Sequence, residues 1–242
     1  NLGAYNNLGG ALQNLKRYEE AINVYNKAIK IKPDYSEVYN NLANCFLRLK
    51  NYDSAIENYK KSLKLNSKNY VAYNNLGNVF KDLNNYEEAI NNYNKAINLN
   101  SNYYIAYNNL GKTLQGIKKY QDAIKNYEKL IELKPDFKYV TGNIIHTKML
   151  ICDWNNFNNE TKNLINSLNY NNKIITPYQI ISLIDKPEYH KLSSEVFTKD
   201  KFIISKKKES KKIFKKKSKP ILGYFSPDFR DHAVLHLIMD IF

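Results

Sequence analysis

The sequence predicts a mainly α-helical solenoid, a stack of helical hairpins with one concave face. Three observations carry that expectation. Aligning the 242-residue chain on itself gives one period, 34 residues, the length of a helix–turn–helix unit. Within a unit the apolar residues recur at helical spacing: Tyr5, Leu8 and Leu12 mark one face of a first helix, and Ala21, Tyr25 and Ala28 one face of a second. The composition, 43% hydrophobic and 25% charged with only 8 Gly and 6 Pro, excludes a disordered chain and leaves enough apolar mass for real cores.

The period is legible column by column. Tyr5, Tyr39, Tyr73 and Tyr107 open the units, followed by Leu8, Leu42, Leu76 and Leu110, then Gly9, Ala43, Gly77 and Gly111. Ala21, Ala55, Ala89 and Ala123 precede Tyr25, Tyr59, Tyr93 and Tyr127, and Pro33 and Pro135 close the first and fourth units. Gly9 and Ala21 are small because the two helices cross there, and overpacking such a contact costs ~1–3 kcal/mol. Each hairpin leaves one face uncovered, so neighbours must stack. Ser67 and Ser101 replace the closing Pro in units two and three, where they are expected to cap helices. The order of aromatic, Leu-Gly, Ala, aromatic and Pro resembles the tetratricopeptide repeat, with four units over residues 1–137.

One polar series shares the frame. Asn7, Asn41, Asn75, Asn109 and Asn143 recur once per unit, each before the Leu or Ile of the pattern. On a solenoid they form a ladder along the inner groove, and a primary amide both donates and accepts, so a row of them can grip the backbone of an extended peptide. A solvated helix face is the competing reading, strengthened by the adjacent Asn6, Asn40, Asn74 and Asn108. A clamp for chaperone tails would need groove lysines, which this Asn-rich stretch is not expected to provide.

Beyond Phe137 a partial fifth unit and a helical transition occupy residues 138–198. Cys152, Asp153 and Trp154 break the pattern there, with Trp154 expected to seal the solenoid end. Residues 199–219 hold eleven lysines against Asp200 and Glu209, nine of the fourteen excess positive charges, and read as an exposed linker. Only three arginines are present, Arg17, Arg48 and Arg230, so the forks that read phosphates and bases are scarce. The high pI is therefore a local feature and argues against nucleic acid as a partner. Residues 220–242 read as strand, loop and helix, the opening of an α/β unit, with His232 at the mouth of the helix.

No stretch approaches ~18 uninterrupted apolar residues, which excludes a membrane-spanning helix. No signal peptide is visible, and the chain begins mid-unit, so further repeats are expected before Asn1. Cys45 and Cys152 suggest neither a disulfide framework nor a zinc site, and a cytoplasmic location is expected.

The tetratricopeptide units, the Cys152, Asp153, Trp154 exit, the lysine-rich insert and the run GYFSPDFRDH at 223–232 together resemble the O-linked N-acetylglucosamine transferases, whose bacterial and SPINDLY-like branches share that architecture. The resemblance implies a truncated start of a GT-B lobe at 220–242, metal-independent and without a bound cofactor. It implies transfer of N-acetylglucosamine from UDP-N-acetylglucosamine to Ser or Thr of proteins held as extended segments on the asparagine ladder. It places His232 in the cleft, with its role open. The fragment itself is expected to be inactive for want of a donor lobe. The alternatives are an O-fucosyltransferase of the same family and a non-enzymatic interaction scaffold. Self-association is left open.

Overall fold

The computed structural model describes residues 2–170 and 172–201. Those residues form twelve helices and no strand, and none of the helices is long and apolar enough to cross a membrane. The strand and helix expected at 220–242, His232, and the linker from residue 202 onward lie outside the described residues.

The first eight helices are four hairpins in the 34-residue frame: α1 (Leu2–Asn14) with α2 (Tyr18–Ile31), α3 (Ser36–Arg48) with α4 (Tyr52–Leu65), α5 (Tyr70–Asp82) with α6 (Tyr86–Leu99), and α7 (Tyr104–Gly116) with α8 (Tyr120–Leu133). One turn joins the helices of each hairpin. Lys16, Lys50, Asn84 and Lys118 all adopt the left-handed region, at φ 60°, 59°, 59° and 63°, at about 1–2 kcal/mol each for a side chain with a Cβ. Two backbone bonds offset that cost. In the first turn Arg17 N–H donates to Leu12 O and Lys16 N–H to Gln13 O, both at 2.9 Å, and the other three turns repeat the pair. These are the two bonds of a Schellman end, which satisfy carbonyls a helix terminus leaves unpaired.

At each hairpin crossing a buried tyrosine lies on a small residue. A Cβ built on Gly9, Gly77 or Gly111 would come within 2.3, 2.7 or 2.6 Å of the ring of Tyr25, Tyr93 or Tyr127. Tyr25, Tyr59, Tyr93 and Tyr127 are fully buried, with an aromatic ring at the centre of each contact. Successive hairpins then stack, α2 on α3, α4 on α5, α6 on α7 and α8 on the next helix. Ser67 and Ser101, expected as caps, sit in exposed turns. Neighbouring asparagines close those turns, Asn66 and Asn100 accepting from the N–H groups of Lys68 and Asn102, because an Asx side chain mimics a turn. Helix α5 is capped instead by Asn69, which accepts from Ala72 N–H at 3.1 Å, and α7, with Tyr103 at its N-cap, has no side-chain cap.

The frame does not stop at Phe137. Helices α9 (Val140–Leu150) and α10 (Phe157–Asn169) form a fifth hairpin. Cys152, 34 residues after Lys118, is again left-handed, at φ 54°, and the bonds of Asp153 to Lys148 and of Cys152 to Met149 rebuild the same turn. The three residues expected to break the pattern are therefore its next turn. What changes is the packing: Ile145 stands in the Gly column and Thr161 in the Tyr column, so bulk has crossed from the second helix to the first. Trp154 keeps its place in the column of Tyr18, Tyr52, Tyr86 and Tyr120. It does not seal the solenoid: it is 53% exposed, edge-on to Phe157 at 5.2 Å, because α10 begins three residues late.

Two further helices follow, the short α11 (Pro177–Leu183) and the longer α12 (Pro187–Lys201), with α12 starting one residue from the place the period assigns to a second helix. Ile145, Leu164, Leu168, Ile175, Ile180, Ile184 and Val196 form their shared core. Helix α12 runs three residues into the stretch read as a linker. Its Asp200 is almost wholly enclosed, accepting from Lys138 Nζ at 2.7 Å and Tyr139 Oη at 2.9 Å, with Lys173 Nζ at 2.8 Å.

Two outcomes test this packing. Gly111→Ile should lower the urea midpoint by an amount worth about 1–3 kcal/mol. Adding Tyr127→Thr should cost less than the sum of the two single changes, because the pair then matches Ile145 and Thr161 of the fifth hairpin. The ammonium groups of Lys138 and Lys173 and the Tyr139 hydroxyl hold the Asp200 carboxyl well below the usual range. Its contribution is therefore present above the ordinary aspartate pKa and lost as pH falls below it. Protection factors in α12, corrected for the intrinsic exchange rate at each pH, should fall on such acidification, and in Asp200→Asn at neutral pH, with those of α1–α8 unchanged.

Candidate functional site

The first helices of hairpins one to four line a concave groove of about 990 Å³, whose floor includes Gln13, Asn44, Asn75, Asn78 and Asn109. The ladder residues sit on α1, α3, α5, α7 and α9, one per hairpin. Asn7 is exposed, Asn41, Asn75, Asn109 and Asn143 are half-buried, and Asn75 and Asn109 line the groove directly.

These amides bond to each other between repeats. Asn41 Nδ2 donates to Asn6 Oδ1 at 3.0 Å, Asn75 to Asn44 at 3.1 Å, and Asn109 to Asn74 at 2.9 Å. The flanking series is not a solvated face. Asn40, Asn74 and Asn108 are buried, and each points its Nδ2 at the Oδ1 of the next residue, at 3.3, 3.2 and 3.4 Å. An amide chain thus runs from Asn108 through Asn109, Asn74 and Asn75 to Asn44. Each ladder residue in it spends one N–H and one lone pair, and a primary amide has two of each. One of each stays free toward the groove. The second interface departs from the others: Asn75 turns to Asn44, and Asn40 Oδ1 is left buried without a partner.

Asn44 and Asn78 have another task that the sequence did not advertise. They accept the buried phenols, Tyr59 Oη on Asn44 and Tyr93 Oη on Asn78 at 2.8 Å. In hairpins one and four the same column holds Gly10 and Lys112, and there Tyr25 and Tyr127 donate to Gln13 at 3.1 Å and Gln115 at 2.9 Å. Hairpins two and three have Leu47 and Lys81 in that Gln column. A unit carries one acceptor or the other, which a columnwise alignment reveals once the phenols are known to be buried. Removal from water pushes all four phenols above their ordinary range. Gln179 was likewise missed: its Nε2 donates to Asn143 Oδ1 at 2.8 Å, extending the ladder onto α11.

The groove also contains cations, contrary to expectation. Lys16, Arg48, Lys50 and Lys81 line it, with Asp82 as the one acid. They enter from the ends of α1, α3 and α5 and from the turns, so the Asn-rich middle of each helix gave no sign of them.

Comparison with known proteins adds the family signal. The model described as tetratricopeptide repeat matches residues 2–68, 34–102 and 70–136. A search of curated proteins returns no match. Among solved structures, a MamA protein is 22% identical over 84% of this chain and 96% of its own, with a TM-score of 0.57. The PilF protein of Pseudomonas aeruginosa is 21% identical over 82% and 89%, with a TM-score of 0.67. YrrB, titled a TPR protein with an unusual peptide-binding site, is 21% identical over 62% and 77%, at 0.51. At such identities the likeness establishes the fold. These findings overturn the expectation of a protein glycosyltransferase. They support a tetratricopeptide repeat protein, and nothing in them belongs to a sugar-transfer enzyme.

The amide accounting gives a stability test. Asn74 is paired through both its N–H and its carbonyl, whereas Asn40 has an unpaired carbonyl. Asn74→Ala should therefore cost about 1 kcal/mol more than Asn40→Ala in urea unfolding, and equal costs would contradict the network.

Proposed function

The chain belongs to the tetratricopeptide repeat family, and we propose that it is a non-enzymatic scaffold that holds an extended segment of a partner protein in its groove. One observation carries this reading: the ladder amides Asn75 and Asn109, fixed in orientation by their neighbours, line the groove, each with a donor and an acceptor to spare. A peptide backbone presents the complementary groups at every residue whatever its side chains, so such a row grips main chain. Preorganisation strengthens the case, because the amides need no further ordering when the segment arrives. The peptide-binding site named for YrrB belongs to that protein and supports a peptide as the class of ligand.

An array of unrelated extended peptides, followed by fluorescence anisotropy on those that bind, tests the reading. Asn75→Ala combined with Asn109→Ala should weaken every binder by roughly tenfold or more, since each change removes one or two hydrogen bonds. Circular dichroism on the same variant controls for folding. An array without binders, or binders indifferent to the double change, would overturn the proposal.

A further inference from the structure

The groove carries a charge that the amide ladder does not explain. Lys16, Arg48, Lys50 and Lys81 face it with Asp82 as the one acid. Lys81 lies 3.4 Å from Asp82, but among the described residues no carboxylate pairs with Lys16, Arg48 or Lys50. Elsewhere some cations do pair: Arg17 has Glu20, Lys61 has Glu57, Lys129 has Glu132 and Lys148 has Glu160. Others among the described residues, such as Lys60 and Lys125, do not, so what marks the groove is the excess of four cations over one acid on one lining.

The ordinary explanation, the helix dipole, falls short. Arg48 and Lys81 stand in the last turns of α3 and α5, where a cation complements the helix dipole, but that dipole amounts to about half a charge per helix. Lys16 and Lys50 belong to the turns and oppose no dipole so directly. The positive potential also persists past the third hairpin. Lys112 stands in the column of Asn44 and Asn78, and its pKa is lowered by removal from water and then by Lys81 and Lys201. Like charges gathered without an acid raise the energy of the free protein and lower it when an anion arrives.

We propose that the segment the groove accepts is acidic, an extended stretch of another protein whose main chain lies on Asn75 and Asn109 and whose carboxylates meet Arg48, Lys50 and Lys81. This rests on the peptide-binding reading and adds the charge of the partner to it. Nucleic acid fits the lining less well. Its two aromatics, Tyr18 and Tyr52, are half-buried with their rings packed into hairpin cores, and single strands need exposed ring faces on which to stack.

The test uses three fluorescein-labelled twelve-residue peptides, one alternating Glu with Ala, one Ser with Ala and one Lys with Ala, and a single-stranded oligonucleotide carrying the charge of the first. The Glu peptide should bind at least tenfold tighter than the Ser peptide at low salt, and that preference should shrink as salt is raised. Arg48→Glu with Lys81→Glu should erase or reverse the preference for Glu over Ser peptide, with circular dichroism confirming that the variant is folded. Lys125→Glu, an exposed change on α8, should do neither. Equal binding of Glu and Ser peptides, both weakened by Asn75→Ala with Asn109→Ala, would overturn the acidic partner and leave the scaffold reading standing. Failure of all three peptides would overturn both. Tighter binding of the oligonucleotide than of the Glu peptide would also overturn the proposal.

Discussion

A tyrosine lying across a glycine or alanine at each hairpin crossing is the contact on which the rest of the solenoid depends. The ring fills the space that the missing side chain leaves, so the two helices approach closely around one large buried group. Burying a phenol also commits the chain to supplying an acceptor, since an unpaired hydroxyl there would cost several kcal/mol. That acceptor comes from the first helix, as Gln13 or Gln115 in the outer hairpins and Asn44 or Asn78 in the inner ones. A packing requirement thus places an amide on the first helix of every hairpin from one to four, and those of the first three, Gln13, Asn44 and Asn78, line the groove.

The groove follows from the same construction. Once hairpins stack at a fixed period, residues one period apart line up on the inner face, and amides in one column meet those in the next. Their bonds tie neighbouring repeats together and orient what remains of their hydrogen-bonding capacity. The structural and the binding roles of the asparagines are consequently two uses of one geometry. The cations of the rim come from a different source, the ends of the first helices and the turns, which is why they escape a reading confined to the asparagine columns.

Several features that suggested a glycosyltransferase have a simpler origin. Cys152 is the fifth member of a left-handed turn series, and Trp154 is the fifth aromatic of its column. A five-membered asparagine series is what a regular solenoid with paired amides produces. None of these requires a catalytic lobe after it. The remaining support for the resemblance, the run at 223–232, lies outside the described residues.

The sequence by itself determined the four hairpins of residues 1–137. A strict 34-residue period with small and aromatic residues in fixed columns admits few other arrangements, and the apolar spacing marks both helices of every unit. It also located the asparagine series, because an exact period needs no coordinates to be seen. The partial fifth unit, with Asn143 in frame, was also legible; only the tertiary structure decided that the frame continues through the turn at Cys152 into α10. There Ile145 stands in place of Gly and Thr161 in place of Tyr, and Ile145 packs into a core shared with α10, α11 and α12, so both signature columns change residue type and a column of residue names cannot register that the turn persists. It alone also decided that Asn40, Asn74 and Asn108 are buried, that Arg48 and Lys81 join the groove, and that Gln179 bonds Asn143. Burial and convergence depend on which helices pack together, and that lies between units of the sequence rather than within any one of them.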